Sequence, residues 1–217
     1  MHHLPPAEID PNRPNAELLR WAYSNGIFPM GDHESGEVEW FRPDPRAILP
    51  LDAFHVPKNL AREVRKKKFT IRSDTSFEQV LRACAPARSR INGRWITEPL
   101  IPAYLELFRS GNAHCVEAWY EKKIVGGLYG VHLGSAFFGE SMFSRPELGG
   151  TNASKVCLVH LVRWLNHRGF MLLDTQFRNP HLDQFGCIEV SRAEYHRRLE
   201  AALVKAATWG RFEVREA

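Results

Sequence analysis

The 217-residue sequence has no run approaching the ~20 apolar residues that a membrane-spanning helix requires. Its first residues, Met1-His2-His3-Leu4-Pro5-Pro6, form neither a basic segment nor an apolar stretch of leader length. A soluble cytoplasmic protein is expected. Cysteine is scarce: Cys84, Cys115, Cys157 and Cys187 stand far apart, with no C-x-x-C pair, in a chain long enough to bury a core without disulfides. Free, buried thiols are therefore expected. The histidines, ten in all, include no H-E-x-x-H and no Cys/His array with ligand spacing, so no metal site is expected. Also missing are the P-loop, the Gln/Arg-x-x-Gly-x-Gly/Ala fingerprint of acetyl-coenzyme A sites, and the G-x-S-x-G nucleophile elbow. Without a convincing Cys/His pair either, a covalent acyl-enzyme has little support, and Ser141 and Ser154 are read as hydrogen-bonding residues.

What the chain does have is concentrated positive charge. The formal net charge is only +4, yet Lys58 to Arg72 holds seven cations against the single acid Glu63, and Arg82 to Arg94 holds four arginines and no acid. The rest of the chain is therefore net acidic. Either cluster alone reads as a solvated helix face; the two together favour a polyanionic partner, and Trp95, directly after Arg94, is a candidate for base stacking, although a tryptophan more often packs a core.

Periodicity and turn residues divide the chain. Asn15 to Tyr23 reads as a capped helix closed by Asn25-Gly26, and Val38-Glu39-Trp40 and Ala47-Ile48-Leu49 as short strands, so residues 1–50 are expected to form a small α+β domain. In 51–217, Pro57 starts a helix with Leu60 and Val64 inward and Lys58, Arg62, Arg65 and Lys66 largely outward. A strand Phe69–Arg72 follows. Phe77, Val80, Leu81 and Cys84 mark a helix capped by Asp74 and Thr75, and Leu100, Tyr104, Leu107 and Phe108 mark another, stopped at Gly111. Alternation over 113–120, 124–133 and 136–143 predicts an antiparallel meander, then a helix from Thr151 or Asn152 to His167 and a strand over 170–177. The pattern points to a mixed α+β sheet of the N-acetyltransferase type.

Three places in this frame carry polar chemistry. Gly149-Gly150-Thr151-Asn152-Ala153-Ser154-Lys155 puts free amides and a cation at a helix start, suited to an anion, although such turns also start many helices that bind nothing. Glu140 interrupts the Phe- and Met-rich strand Gly139–Phe143, and Asp174 and Gln176 share one face of another apolar strand. A carboxylate among apolar side chains costs free energy unless it is paired. The residues alone leave two readings open, a cleft or strand-end polar groups bonding local backbone.

In order along the chain, Gly26-Ile27-Phe28-Pro29, Trp40-Phe41-Arg42-Pro43-Asp44-Pro45-Arg46, Trp95-Ile96-Thr97, Val125-Gly126-Gly127-Leu128-Tyr129-Gly130, Phe138-Gly139-Glu140-Ser141-Met142-Phe143-Ser144, Asn152-Ala153-Ser154-Lys155 and Leu173-Asp174-Thr175-Gln176 resemble the leucyl/phenylalanyl-tRNA–protein transferase family. Pro180-His181-Leu182 to Gly186, with Glu189, extends the likeness. The resemblance implies a small N-terminal α+β domain on a GNAT/Fem-type sheet, and transfer of Leu or Phe, less well Met, from aminoacyl-tRNA to proteins beginning with Arg or Lys, which marks them for degradation. It implies no metal and no coenzyme. Leu128, Phe137, Met142 and Leu161 match positions lining the aminoacyl pocket; Asp174, acting through Gln176, matches the residues proposed to orient the attacking amine and draw off its proton. Glu140 matches a partner for the adenosine ribose or for the acceptor's cationic end, and a mechanism assisted by the ribose hydroxyl would leave Asp174 and Gln176 as positioning residues. Adenosine and tRNA contacts fall to Trp95, Met30, Lys58, Arg62, Arg65, Lys66 and Ser154.

The sequence departs from the family pattern at Met30, where a Trp follows Phe-Pro, at an insertion over Pro146–Gly150, and at Leu161, which replaces a pocket Phe. All three bear on donor preference. Two rival readings remain: a coenzyme-A-dependent N-acyltransferase of the same fold, and a tRNA-binding module without catalysis. The protein is expected to act as a monomer.

Overall fold

A computed structural model describes residues 10–32, 35–85, 88–89, 93–94 and 97–215. Asn15 opens α1 (Ala16–Ser24) by accepting from the Leu18 amide at 2.9 Å, and Gly26, at φ +73°, turns the chain out of it. β1 (Phe28–Gly31) and β2 (Val38–Phe41) pair as a hairpin. β3 (Arg46–Ile48) instead enters the central sheet, so the expected domain boundary near residue 50 falls just after a strand of that sheet.

The chain continues through α2 (Lys58–Arg65), β4 (Thr70–Ser73), α3 (Phe77–Cys84), a minimal hairpin β5 (Arg88–Ser89) and β6 (Gly93–Arg94), and α4 (Ile101–Arg109). The expected meander follows as β7 (Ala113–Tyr120), β8 (Lys123–Leu133) and β9 (Ala136–Ser144). Glu121 and Lys122 both take positive φ between the first two, the backbone that a tight two-residue hairpin requires. After a short 3-10 turn at Pro146–Leu148 come α5 (Ala153–His167), β10 (Leu172–Gln176), α6 (Pro180–Asp183), β11 (Ile188–Val190) and α7 (Arg192–Val204). Seven strands assemble in the order β11-β3-β10-β9-β8-β7-β4; β9 and β10 run parallel and the other neighbours antiparallel. This is a mixed α+β sheet with helices on both faces.

Two buried layers result. One packs α1, α3, α4 and α7 on the sheet through Leu19, Val80, Tyr104, Phe138 and Leu199; the other packs α2, α5 and the C-terminal segment through Leu60, Val125, Cys157, Leu161 and Trp209. Gly126 lets α5 sit close, because a Cβ there would lie 2.4 Å from that of Ala153. All four cysteines are free and buried.

The expected cap of α3 needs correcting. Asp74 turns instead to the Cys115 amide and the His114 ring, and the amides of Thr75 and Ser76 donate to Oε1 of Glu117 at 2.8 and 2.7 Å. A carboxylate on β7 thus supplies the acceptor that a local side chain was expected to provide. Among the described residues no helix is long and apolar enough to cross a membrane.

Candidate active site

β9 and β10 pair from Leu172↔Ala136 to Asp174↔Phe138, and there the parallel register ends. β9 runs on beside β8 to Ser144, while β10 stops at Gln176. The two strands therefore part just where the polar residues stand. The β8–β9 register also slips, with Tyr129 opposite Ser141 and Gly130 opposite Gly139, which leaves Glu140 as the extra residue of a bulge. Bulges re-aim side chains, and this one sends the half-buried Glu140 toward α4.

There Tyr104 Oη donates to Glu140 Oε2 at 3.0 Å, and Gln176 Nε2 donates to Oε1 at 2.9 Å. Behind Tyr104, its hydroxyl meets that of the fully buried Tyr23 at 2.9 Å. Burial raises the Glu140 pKa to about 7; hydrogen bonds from Tyr23 and Tyr104 hold it back, the Asp174 charge adds to the rise and Arg46 opposes it. Glu140 is thus poised to gain or lose a proton near neutrality.

Asp174 has a different environment. It is fully buried and paired with Arg46, which is 1% exposed, through Nε to Oδ1 at 2.9 Å and Nη2 to Oδ2 at 2.6 Å. Tyr195 Oη donates to Oδ2 at 2.7 Å and the Gln176 main-chain amide to Oδ1 at 2.8 Å. Each oxygen therefore accepts two bonds, the capacity of a carboxylate. Burial works against the Arg46 charge, and Asp174 more than restores it, so the guanidinium pKa lies above its ordinary value. The link between Asp174 and Gln176 runs through the backbone; the Gln176 side chain points to Glu140.

The expected pocket residues gather in the other layer. Leu128, Phe137 and Leu161 are buried there, beneath α5, and the half-buried Met142 packs against them. Phe137 and Met142 stand on β9, the same strand that carries Glu140. A cleft of about 900 Å³ adjoins Met142, lined on one side by Glu78, Gln79 and Arg82 of α3 and on the other by Met142, Phe143 and Ser144 of β9.

Of the residues expected to meet nucleic acid, Lys58, Arg62 and Arg65 on α2 and Lys66 at its C-cap all stand exposed, Lys66 paired with Glu63 at 2.8 Å. Met30 lies in β1 opposite Glu39, half-buried against the first layer. Trp95 lies outside the described residues. Ser154 is buried at the start of α5, where its amide and its hydroxyl both meet Ser144 Oγ at 2.9 Å. That amide is thus already satisfied, and Asn152 makes no side-chain cap. No group of three or more potential metal ligands occurs among the described residues.

Sequence reasoning missed the Arg46 and Tyr195 partners of Asp174, and it placed Tyr104 in the core without a role. The signal available was a lone arginine opening the apolar strand Arg46-Ala47-Ile48-Leu49.

Comparison with known proteins gives the family. The family model described as leucyl/phenylalanyl-tRNA protein transferase matches residues 48–200, and its N-terminal domain model matches residues 12–44. A leucyl/phenylalanyl-tRNA–protein transferase of Paramagnetospirillum magneticum is 52% identical over 197 residues, covering 90% of this chain and 92% of that protein. One of Salinibacter ruber is 52% identical over 193 residues, covering 89% and 82%. Among solved structures, a GCN5-related N-acetyltransferase from Sphaerobacter thermophilus superposes with a TM-score of 0.43 at 16% identity, covering 82% of this chain and 54% of that one. With a family model spanning most of its length and relatives 52% identical over the aligned residues, the chain belongs to the leucyl/phenylalanyl-tRNA–protein transferase family.

Proposed function

We propose that the protein takes Leu or Phe, less well Met, from aminoacyl-tRNA and joins it to the N-terminal Arg or Lys of acceptor proteins, acting in the cytoplasm as a monomer. The observation that carries the mechanism is Glu140, held between Gln176 and Tyr104 with a pKa of about 7 where the strands part.

The donor ester is already activated, so the protein has mainly to place a neutral amine against its carbonyl. The acceptor's α-amino nitrogen attacks, a C–N bond forms, and the ester C–O bond breaks. Glu140 takes the proton the nitrogen sheds and returns it to the departing ribose oxygen, so no covalent enzyme intermediate arises. Its pKa suits the task, since a free α-amino group titrates near 7.7–8.0. Gln176 and Tyr104 orient the carboxylate, and Asp174 is assigned to positioning.

The apolar group Leu128, Phe137, Met142 and Leu161 takes the aminoacyl side chain, and shape selects unbranched Cβ groups. The exposed cations Lys58, Arg62, Arg65 and Lys66 take the tRNA phosphates. Ser154, Met30 and Trp95 are assigned to the terminal adenosine region. Neither metal nor coenzyme enters the proposed chemistry.

The test is to incubate the protein with Leu-, Phe- and Met-tRNA and with peptides beginning in Arg, Lys or Ala, and to weigh the products. Addition of Leu or Phe to the Arg and Lys peptides is expected. Charged tRNA that binds while every peptide stays unmodified would reduce the protein to a binding module. A thermal midpoint raised by acetyl-coenzyme A would instead favour a coenzyme-dependent acyltransferase.

A further inference from the structure

We propose that Arg46 is a positioning residue for the transfer reaction: through Asp174 it fixes the Gln176 backbone, and thereby aims the Gln176 amide at the Glu140 carboxylate. The proposal rests on the reading that Glu140 accepts the amine proton.

Arg46 opens β3, which lies in the sheet between β11 and β10. Its guanidinium is sandwiched 4.6 Å from the Phe28 ring centroid and 4.7 Å from that of Tyr195. Three donors are committed, two to Asp174 and Nη1 to the Gly26 carbonyl at 2.9 Å. A buried ion pair of this kind is a poor device for stability alone, because apolar side chains of the same volume often serve as well or better. Its geometry points to another use.

At Asp174 the pairing with β9 ends, and the ladder with β3 is interrupted before it resumes at Gln176, opposite Ala47. The β10–β3 register shifts between Asp174 and Gln176, and Gln176 takes φ +66°, a left-handed conformation that side chains seldom adopt. Such residues cluster at functional sites and persist only where neighbours over-determine them. Here the determinant is the bond from the Gln176 amide to Asp174 Oδ1, an oxygen held from its other side by Arg46 Nε. The same turn delivers Gln176 Nε2 to Glu140 Oε1. The chain of contacts is unbroken: Arg46, Asp174, Gln176 backbone, Gln176 amide, Glu140.

The arrangement also tunes charge. Glu140 is faced by Tyr23 from α1, Arg46 from β3, Tyr104 from α4, Tyr129 from β8, and Asp174 and Gln176 from β10. Of these, Asp174 and Arg46 push the Glu140 proton equilibrium in opposite directions, Asp174 upward and Arg46 downward.

The experiment is single-turnover transfer from Leu-tRNA to an Arg-initiated peptide between pH 5 and 9. Arg46→Met, Asp174→Asn, Arg46→Lys and Tyr195→Phe are compared, with circular dichroism reporting the folded fraction and donor binding measured separately. Arg46→Met is expected to move the acid-limb midpoint up and Asp174→Asn to move it down. Arg46→Lys keeps the charge but loses the fork, so it should hold the midpoint near its natural value while the plateau rate falls at least tenfold with donor affinity unchanged. Tyr195→Phe, which keeps the ion pair, should fall less. If the first two variants fail to fold, Arg46→Lys and Tyr195→Phe still decide.

Rates that follow only the folded fraction, with every midpoint unmoved, or an Arg46→Lys variant at full rate, would overturn the proposal. Glu140→Gln separates the two readings. Loss of the acid limb in that variant, together with unmoved Arg46 variants, sinks the Arg46 proposal alone. A Glu140→Gln variant of full rate sinks the proton-acceptor reading itself, and the Arg46 proposal with it.

Discussion

The two layers on either side of the central sheet have opposite interiors. Toward α1, α3, α4 and α7 the packing includes Arg46, Asp174, Glu117, Tyr23 and Tyr104, each hydrogen-bonded to a named partner. Beneath α5 the interior is Leu128, Phe137, Leu161, Leu165 and Trp164, and polar groups gather at its edge, where His114 stacks 4.2 Å from Trp209 and bonds Asp74. A layer of committed hydrogen bonds can hold atoms in fixed positions; an apolar layer can only select by shape. The proposed reaction needs both, and β9 serves each, with Glu140 bonded into the first and Phe137 and Met142 packed in the second.

The sharpest way to break this contrast is to remove the partner of a buried charge. Asp174→Ala leaves Arg46 ionised and unpaired, and should cost about 3–5 kcal/mol in urea denaturation. The double variant Arg46→Met with Asp174→Leu should recover most of that stability but not the transfer rate. Recovery of both would mean that the polar layer is a packing solution and nothing more.

Glu140 gives a somewhat smaller effect with a definite sign. Its folded pKa of about 7 lies above the ordinary 4.5, so the native state keeps a proton that the unfolded chain has released. Fewer protons bind the unfolded state across that window, and stability therefore falls as pH rises from about 4.5 to 7. At about 1.4 kcal/mol for each pH unit, the loss approaches ~3 kcal/mol. Glu140→Gln should match the natural protein near pH 4 and exceed it by up to that amount at pH 8, while transfer slows on the order of 100-fold or more. Parallel stability curves would show that Glu140 carries no such burden.

On the apolar side the effect should be one of preference. Leu161→Ala removes side-chain volume from the apolar packing beneath α5 and should shift the ratio of Phe to Leu transfer toward Phe by roughly tenfold, since a misfit of a methylene or so is worth about 1–3 kcal/mol. Stability also falls, so the ratio under competition is the measurement. An unchanged ratio would move the aminoacyl site away from this layer.

These contrasts were unequally legible in the sequence. The meander and α5 stood out because strand alternation, tight-turn residues and a wide apolar helix face are local signals, and the observed strands and helix differ from the expected ones by a residue or two. α7 did not stand out, since only Tyr195, Leu199 and Ala202 of its thirteen residues are buried. The cap of α3 was misplaced because the true acceptor, Glu117, lies 42 residues beyond Thr75. Glu140, Asp174 and Gln176 were visible as polar interruptions of apolar strands. What separates them, a proton-exchanging group on one strand and a saturated counter-ion on the other, depends on Arg46 and its partner 128 residues away. No local pattern encodes that.

The smallest expected effect lies outside both layers, on α2. Arg62 is exposed, and the helix it stands on is held by Leu60 and Val64, so Arg62→Gln should leave the unfolding midpoint where it is. If the cations of this face take tRNA phosphates, each releases about one counter-ion on binding. Removing one should therefore flatten the plot of log affinity against log salt by roughly 0.7–0.9 and weaken binding only several-fold at physiological salt. The decisive feature is the slope: a general loss of affinity with the slope intact would mean that Arg62 shapes the helix without touching the nucleic acid. An unchanged affinity and slope would leave the transfer site of the two layers standing but send its tRNA across another face of the molecule.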